Sequence, residues 1–286
     1  MAVILGLCAA VTYGAADFLG GLMTRRNKVM LVVFLSQLAG SALLFVAAPF
    51  FIGSAPSRGA LVWGGMAGLA GAGGISFFYV ALSVGRMSVI APITAVEAAS
   101  VPVLYGFLRG ERPSLVGTIG VMLALVAVAL ISAAPDNGAP VEEVRVRSGW
   151  RQPGLVFGFI SGFFFGVFFI MLAAAGESAG LWPLVAGRVS SLLVVGLVVA
   201  FAVRSLAVER GTGAGIAAAG ILDVAANLFF LLASHRGLLS IVAVLTSMYP
   251  ASTVVLARLV LHEHLFGTQL LGLVLAVAGI ALIATG

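Results

Sequence analysis

Four ionisable residues, Asp17, Glu97, Arg188 and Asp223, lie deep inside long apolar stretches of the chain. A charged side chain at the centre of a bilayer costs about 2.5–3.5 kcal/mol on insertion scales, so such residues usually face a cavity or pair with one another. Three acids and one arginine leave at least two carboxylates without a basic partner. This imbalance favours groups that bind a substrate or exchange protons. A purely structural ion pair with Arg188 is the alternative interpretation.

Polar and aromatic residues accompany these charges. Tyr13 precedes Asp17 by one helical turn and Asn227 follows Asp223 by one turn, so the members of each pair share a helix face. Tyrosines 79 and 249 lie in two further apolar stretches. We therefore predict one substrate-binding set of eight residues: Glu97, Asp223, Arg188, Asp17, Tyr13, Tyr79, Asn227 and Tyr249.

An amino acid is one substrate that would match these charges. Its ammonium group would meet Glu97 or Asp223, and its carboxylate would meet Arg188. Because burial raises the pKa of a carboxyl group and a nearby arginine lowers it, one acid is expected to stay ionised while another titrates. The sequence does not identify which acid pairs with Arg188.

An intramembrane enzyme is a less favoured alternative. Asp17 and Asp223 could form the carboxylate pair of an intramembrane aspartyl protease, but they stand in AADF and GILD, outside the Tyr-Asp and Gly-x-Gly-Asp contexts of that class. The three histidines lie at predicted helix ends, so neither a catalytic dyad nor a metal cluster is predicted. We therefore expect no catalytic residues, no bound metal and no cofactor.

The elements that carry these residues are membrane-spanning helices. Of the 286 residues, 62% are hydrophobic and 9% are charged, and the mean hydropathy is +1.20; soluble domains have about 25% charged residues. A bilayer crossing needs about 20 apolar residues. The composition therefore predicts an all-α polytopic membrane protein with ten transmembrane helices. Their predicted ranges are 2–22, 30–52, 61–84, 88–109, 115–133, 153–174, 180–203, 211–234, 240–261 and 267–285.

The basic residues predict an orientation rather than a nucleic-acid partner. The net charge is +5, but the lysines and arginines are spread over predicted loops and helix ends. Loops after odd-numbered helices hold nine of them and the loops on the other side hold four. By the positive-inside rule, the odd loops are cytoplasmic and both termini lie outside.

The chain is predicted to contain two related five-helix halves. The segment 134–152 is polar, proline-containing and aperiodic, so it is interpreted as a linker between residues 1–133 and 153–286. A shift of 152 residues superimposes many identical residues, among them Gly68 on Gly220. The same shift also places Phe78 on Phe230, Thr94 on Thr246, Glu111 on Glu263 and Gly120 on Gly272. An odd number of helices per half predicts inverted repeats, as in many secondary transporters.

Prolines and small residues indicate where helices bend or cross. Pro102 and Pro250 lie inside the fourth and ninth predicted helices, where each favours a kink. Glycines within residues 64–74 and at positions 158, 162 and 166 favour close helix packing. The phenylalanine cluster at 163–169 is interpreted as packing or lipid contact.

Two segments carry a specific family resemblance. The run ALSVGRMSVIAPITAVEAASVPVLYGFLRGERPSLVGTIGVMLALVAVALIS and its counterpart ending LHEHLFGTQLLGLVLAVAGIALIA resemble the EamA-type repeat of the drug/metabolite transporter superfamily. That repeat typically closes its fourth helix with a Gly-Glu turn. Gly110 and Glu111 match this turn, whereas in the second half Glu263 matches and His262 replaces the glycine. The resemblance implies cytoplasmic termini, opposite to the charge count, and both orientations stay open.

The resemblance and the deep charges together predict a secondary transporter in the cytoplasmic (inner) membrane. It would export small metabolites, such as amino acids or related amphipathic compounds, or drugs by alternating access. Protons are candidate coupling ions, and no Walker A pattern for ATP is present. The expected partners are a small-molecule substrate and the lipid bilayer, with no nucleic acid and no prediction of oligomeric state. A channel or facilitative uniporter is the main alternative.

Overall fold

The computed structural model describes residues 1–24, 26–51, 56–84, 87–132, 153–176, 179–203, 206–260 and 267–285. The regular elements in these residues are α-helices, without strands. Helices satisfy every interior backbone group within one segment, which a bilayer requires. The helices are α1 (Ala2–Thr24), α2 (Val29–Phe51), α3 (Arg58–Val84), α4 (Met87–Leu108), α5 (Leu115–Ser132), α6 (Pro153–Ala174), α7 (Trp182–Ala202), α8 (Gly213–Ser234), α9 (Leu239–Thr246), α10 (Tyr249–Val260) and α11 (Gly267–Thr285).

The lengths of these helices fit a polytopic membrane protein. Within the described residues, six helices are long and apolar enough to cross a bilayer: α1, α2, α3, α6, α7 and α8. Four shorter apolar segments, 94–108, 115–131, 239–252 and 267–283, complete the set. These ten apolar segments fall in the ten predicted ranges. The predicted linker 134–152 lies outside the described residues.

The ninth predicted helix is divided in two. α9 ends at Thr246 and α10 begins at Tyr249, so the helix predicted over 240–261 is interrupted by a short turn next to Pro250, where a kink was predicted. Pro250 has no N–H to donate to the carbonyl group of Thr246, four residues earlier, which explains a break at this place. α4 runs through Pro102 without interruption. Proline therefore accompanies a break between α9 and α10 but is accommodated inside α4.

Contacts between α1–α5 and α6–α11 are symmetric under exchange of the two sets. α1 packs on α8 and α3 packs on α6; α2 packs on α8 and α3 packs on α7. α4 contacts α6, and α1 contacts α9 and α10. When each helix is replaced by the helix 152 residues away, each of these contacts turns into another of these contacts. The packing thus has an approximate two-fold axis.

The last helices of the two sets, α5 and α11, pack directly on each other. A Cβ placed on Gly120 would lie 2.9 Å from the carbonyl oxygen of Gly279, and one placed on Gly272 would lie 3.0 Å from that of Ala127. As the residue number rises along α5, the facing residue number falls along α11. The two helices are therefore antiparallel.

Glycines permit the closest crossings, as the small-residue pattern predicts. A Cβ on Gly68 of α3 would overlap the carbonyl oxygen of Gly187 in α7. At the equivalent position of the second set, a Cβ on Gly220 of α8 would overlap the carbonyl oxygen of Ser36 in α2. Side chains at these points would separate the helices, so the packing interpretation is confirmed for Gly68. It does not hold for Gly65 of the same run, where an added Cβ has nothing within 4 Å.

Candidate functional site

A cavity of about 190 Å³ lies between the two sets of helices. Eight helices contribute to its lining: α1, α2, α3, α4, α6, α7, α8 and α10. The lining residues are Tyr13, Asp17, Gln37, Ala67, Gly68, Gly71, Ile75, Phe78, Ala98, Phe165, Phe168, Phe169, Leu172, Pro183, Leu184, Gly187, Arg188, Ser191, Asp223, Asn227 and Tyr249. Six of the eight predicted binding residues are thus brought together.

An ion pair joins two of the predicted residues across α7 and α8. Nη2 of Arg188 donates to Oδ2 of Asp223, and the side chains are 12% and 37% exposed, respectively. Asn227, one turn further along α8, donates through Nδ2 to the Asp223 carbonyl oxygen at 2.7 Å and to Oδ2 at 3.4 Å. The two donors hold the Asp223 carboxylate in place. Asp223 is therefore the carboxylate that pairs with Arg188, a choice that the sequence left open.

Asp17 presents a second carboxylate to the cavity. Asp17 is exposed, and it has no cationic partner among the described residues. Tyr13 lies one turn earlier on α1. Its ring packs edge-on against the rings of Tyr249 and Phe169, with ring centroids 6.5 and 6.3 Å away, respectively. Asp17 thus shares its part of the cavity with aromatic rings rather than with a counterion.

Several lining residues were not predicted. Ser191 Oγ donates to Gln37 Oε1 at 3.0 Å, which joins α7 to α2 at the edge of the cavity. Phe165, Phe168 and Phe169 come from the cluster that the sequence assigned to packing or lipid contact. A run of phenylalanines has no periodicity that separates a cavity face from a lipid face, so the sequence carried no signal for this role.

Two predicted residues are not placed in the cavity lining. Glu97 is half-buried on α4 and faces α6, where a Cβ placed on Gly162 would lie 2.5 Å from the Cβ of Glu97. Neighbouring Ala98 lines the cavity instead. Tyr79 lies within α3, but its side chain is outside the part of the chain that the structure describes.

Polarity is unevenly distributed around the cavity. The contacting pair α1 and α8 contributes Tyr13, Asp17, Asp223 and Asn227. The contacting pair α3 and α6 contributes only apolar or small residues: Ala67, Gly68, Gly71, Ile75, Phe78, Phe165, Phe168, Phe169 and Leu172. The two pairs are equivalent in the approximate two-fold packing but opposite in chemistry. Such a lining suits an amphipathic molecule.

A carboxylate outside the cavity connects the two sets of helices. Oε1 of Glu111, after α4, accepts a hydrogen bond from the backbone N–H of Leu239 at 2.8 Å. Oε2 accepts from the backbone N–H and hydroxyl of Ser240 at 3.0 and 2.5 Å. Gly110 has φ +90°, and the Glu111 N–H bonds the carbonyl of Gly106 at 2.9 Å. The Gly-Glu turn therefore closes α4 in a Schellman motif and aims a carboxylate at the start of α9.

Among the described residues, no group of three or more His, Cys, Asp or Glu side chains is arranged to hold a metal ion. The cavity thus offers charge, hydrogen bonds and aromatic surface as its means of recognition. This combination can bind and orient a small molecule.

The fold is that of a polytopic membrane protein with a cavity between its two sets of helices. The model of the EamA-like transporter family matches residues 1–133 and again residues 152–285, and the chain belongs to this family. A solved crystal structure is similar in fold, with a TM-score of 0.79 at 19% sequence identity, over 99% of this chain and 96% of the other. No curated protein matches the chain.

Proposed function

We propose that the protein is a secondary transporter of the cytoplasmic membrane that exports small amphipathic metabolites or drugs by alternating access. The main observation is the cavity between the two sets of helices, with its ion pair and with Asp17, which has no ion-pair partner among the described residues. Family membership supports transport of small compounds across a membrane. A site between two halves that rock against each other is the common plan of such carriers.

The proposed transport cycle depends on inverted halves, residues 1–133 and 153–286, joined by the linker 134–152. Support comes from the antiparallel packing of α5 on α11, which occupy equivalent places in the two halves. Five crossings in each half would make the second half enter the bilayer from the opposite side. Exchange of the two halves' conformations would then open the cavity to the other side of the membrane.

The proposed substrate contacts come from Tyr13, Asp17, Arg188, Asp223, Asn227 and Tyr249, all of which line the cavity. Arg188 and Asp223 would act as a fixed pair that positions Asn227. Asp17 would remain available to a substrate or to a proton. Tyr79 remains a proposal from the sequence alone.

Counterflow in proteoliposomes tests the transport proposal. Candidate solutes are first selected by thermal stabilisation of the purified protein, because a ligand that binds only the folded state raises its apparent stability. Vesicles preloaded with an unlabelled solute should then accumulate the labelled solute faster than unloaded vesicles, with saturation. Protein-free vesicles are the control. Linear flux that does not respond to preloading would indicate a channel and refute the carrier.

Glu97 is proposed to couple transport to protons. It has no hydrogen bond or ion pair with the described residues, although it lies inside a membrane-spanning helix. Glu97→Gln should leave substrate binding intact, since Glu97 does not line the cavity. It should remove the dependence of transport on a proton gradient. A wild-type response to the gradient in this variant would exclude Glu97 from the mechanism.

A further inference from the structure

The charges that line the cavity do not balance. Asp17, Arg188 and Asp223 are its charged residues within the described part of the chain. Arg188 and Asp223 bind each other, so their charges offset. Asp17 has no counterion among these residues and is exposed. When Asp17 is ionised, the cavity therefore carries one uncompensated negative charge.

Among the described lining residues, an anionic group of a substrate would find no available cation. The Arg188 side chain is only 12% exposed, and its guanidinium is engaged by Asp223. A substrate carboxylate would have to displace Asp223 and would be repelled by both aspartates. The geometry thus disfavours the amino-acid arrangement in which Arg188 receives the carboxylate.

An ammonium group, in contrast, would be well accommodated at Asp17. A carboxylate and an ammonium ion form a charge-assisted hydrogen bond, which is stronger than a neutral one. Tyr13, one turn from Asp17, and Tyr249, whose ring contacts that of Tyr13, line the same cavity, and aromatic rings attract cations. Binding at these groups leaves the Arg188–Asp223 ion pair in place.

The apolar part of the cavity lining favours an apolar body in the rest of the ligand. Its side chains from α3 and α6, including Phe78, Phe165 and Phe168, are apolar. The cavity volume of about 190 Å³ is somewhat larger than the roughly 150 Å³ of an engineered protein cavity that binds benzene. One ring with a short side chain fits this space.

We propose that the cavity selects a small amphipathic organic cation: an amine with one ring or a compact apolar body, and without a carboxylate. Its ammonium group binds Asp17, and its apolar body lies against α3 and α6. This inference rests on the proposed transport function for its biological role and adds to it the charge and shape of the substrate.

Three probes that share one ring test the inference on the purified full-length protein. 2-Phenylethylamine carries only the amine, phenylalanine carries the amine and a carboxylate, and 3-phenylpropionate carries only the carboxylate. Isothermal titration calorimetry should give binding of 2-phenylethylamine, weaker binding of phenylalanine and none of 3-phenylpropionate. Phenylalanine binding as tight as that of the amine, or no binding of the amine, would overturn the inference.

Matched variants locate the binding charge. Asp17→Asn should weaken binding of 2-phenylethylamine about tenfold or more, because a charge-assisted hydrogen bond is lost. Glu209→Gln makes the same chemical change at an exposed residue near Arg26, outside the cavity, and should leave the affinity unchanged. Unchanged affinity in Asp17→Asn would refute the role of Asp17. The probe comparison on the wild-type protein stands even if this variant does not fold.

Binding and transport fail in distinguishable ways. If 2-phenylethylamine binds in an Asp17-dependent manner but shows no counterflow, the ligand class holds and the transport proposal fails. If carboxylate-bearing solutes show saturable counterflow while the amine does not bind, the carrier holds and the cationic ligand class is wrong.

Discussion

Removal of the Glu111 carboxylate is expected to destabilise the contact between the two halves. α9 has only eight residues, and its N-cap residue Leu238 makes no side-chain capping bond. Glu111 supplies the cap from the other half, 128 residues away from Leu239. Its negative charge is also favourable at a helix N-terminus.

The expected loss in free energy of unfolding follows from the hydrogen-bond donors that Glu111→Ala would leave unpaired. Leu239 is 8% exposed and Ser240 is fully buried, so water does not easily replace the lost acceptor. Loss of an N-cap costs about 0.5–2 kcal/mol, and a hydrogen bond to a charged group contributes about 1.5–3 kcal/mol. Because the Ser240 hydroxyl can rotate to another acceptor, we expect Glu111→Ala to cost about 2–4 kcal/mol in total. Glu111→Gln keeps one acceptor and should cost about half as much.

Thermal unfolding of the detergent-purified variants, at one scan rate, measures this loss. Large single-chain domains shift by about 2–4 °C per kcal/mol, so the loss of about 2–4 kcal/mol in Glu111→Ala should lower Tm by about 4–16 °C. Glu209→Gln, a carboxylate-to-amide change in an exposed pair with Arg26 at 3.9 Å, is the control. A Tm for Glu111→Ala equal to that of this control would refute the capping role.

Three further predictions concern packing, charge and buried hydroxyls. Gly68→Ala should lower the free energy of unfolding by about 1–3 kcal/mol, because the added methyl group overlaps α7. The matched control in thermal unfolding is Gly65→Ala on the same helix, where an added Cβ has nothing within 4 Å. Arg188→Gln and Asp223→Asn should each lower the free energy of unfolding by about 1–3 kcal/mol. This loss is smaller than that for breaking a fully buried ion pair, because the Asp223 side chain is 37% exposed. A double-mutant cycle should show that the double variant loses less stability than the sum of the two single variants. Thr246→Val should raise stability by about 1 kcal/mol, because the buried Thr246 hydroxyl has no hydrogen-bond partner among the described residues; a lower Tm would contradict this.

The sequence predicts the helices better than the contacts between them. Long apolar stretches lead directly to membrane-spanning helices, and all ten predicted ranges contain apolar helical segments. A kink was predicted at both Pro102 and Pro250, but the structure interrupts the helix only near Pro250, between Thr246 and Tyr249, and α4 continues through Pro102. Whether a proline kinks or divides a helix depends on neighbouring helices that supply or withhold support, which a single sequence does not describe.

Candidate site residues were predictable where charge made them conspicuous. Asp17, Arg188 and Asp223 were identified because ionisable groups are costly in a bilayer. The same criterion also selected Glu97, which faces α6 instead of the cavity. Residue type thus identified candidates, while the rotation of each helix about its axis decided which of them share a space.

The division of the lining explains how a repeated fold accommodates an unsymmetrical ligand. Gly68 and Gly220 occupy equivalent helix crossings and must both be glycine, since a side chain at either would overlap a neighbouring backbone. Asp223 and Asn227 are 152 residues from Gly71 and Ile75, and all four line the cavity. Gly68 also lines the cavity, so helix packing fixes the residue type at that lining position, whereas positions 71 and 75 differ in residue type from their equivalents in the second half. Helix packing therefore fixes the crossing glycines and leaves other lining positions able to differ, which is why family membership predicts the helices and their packing but not the substrate.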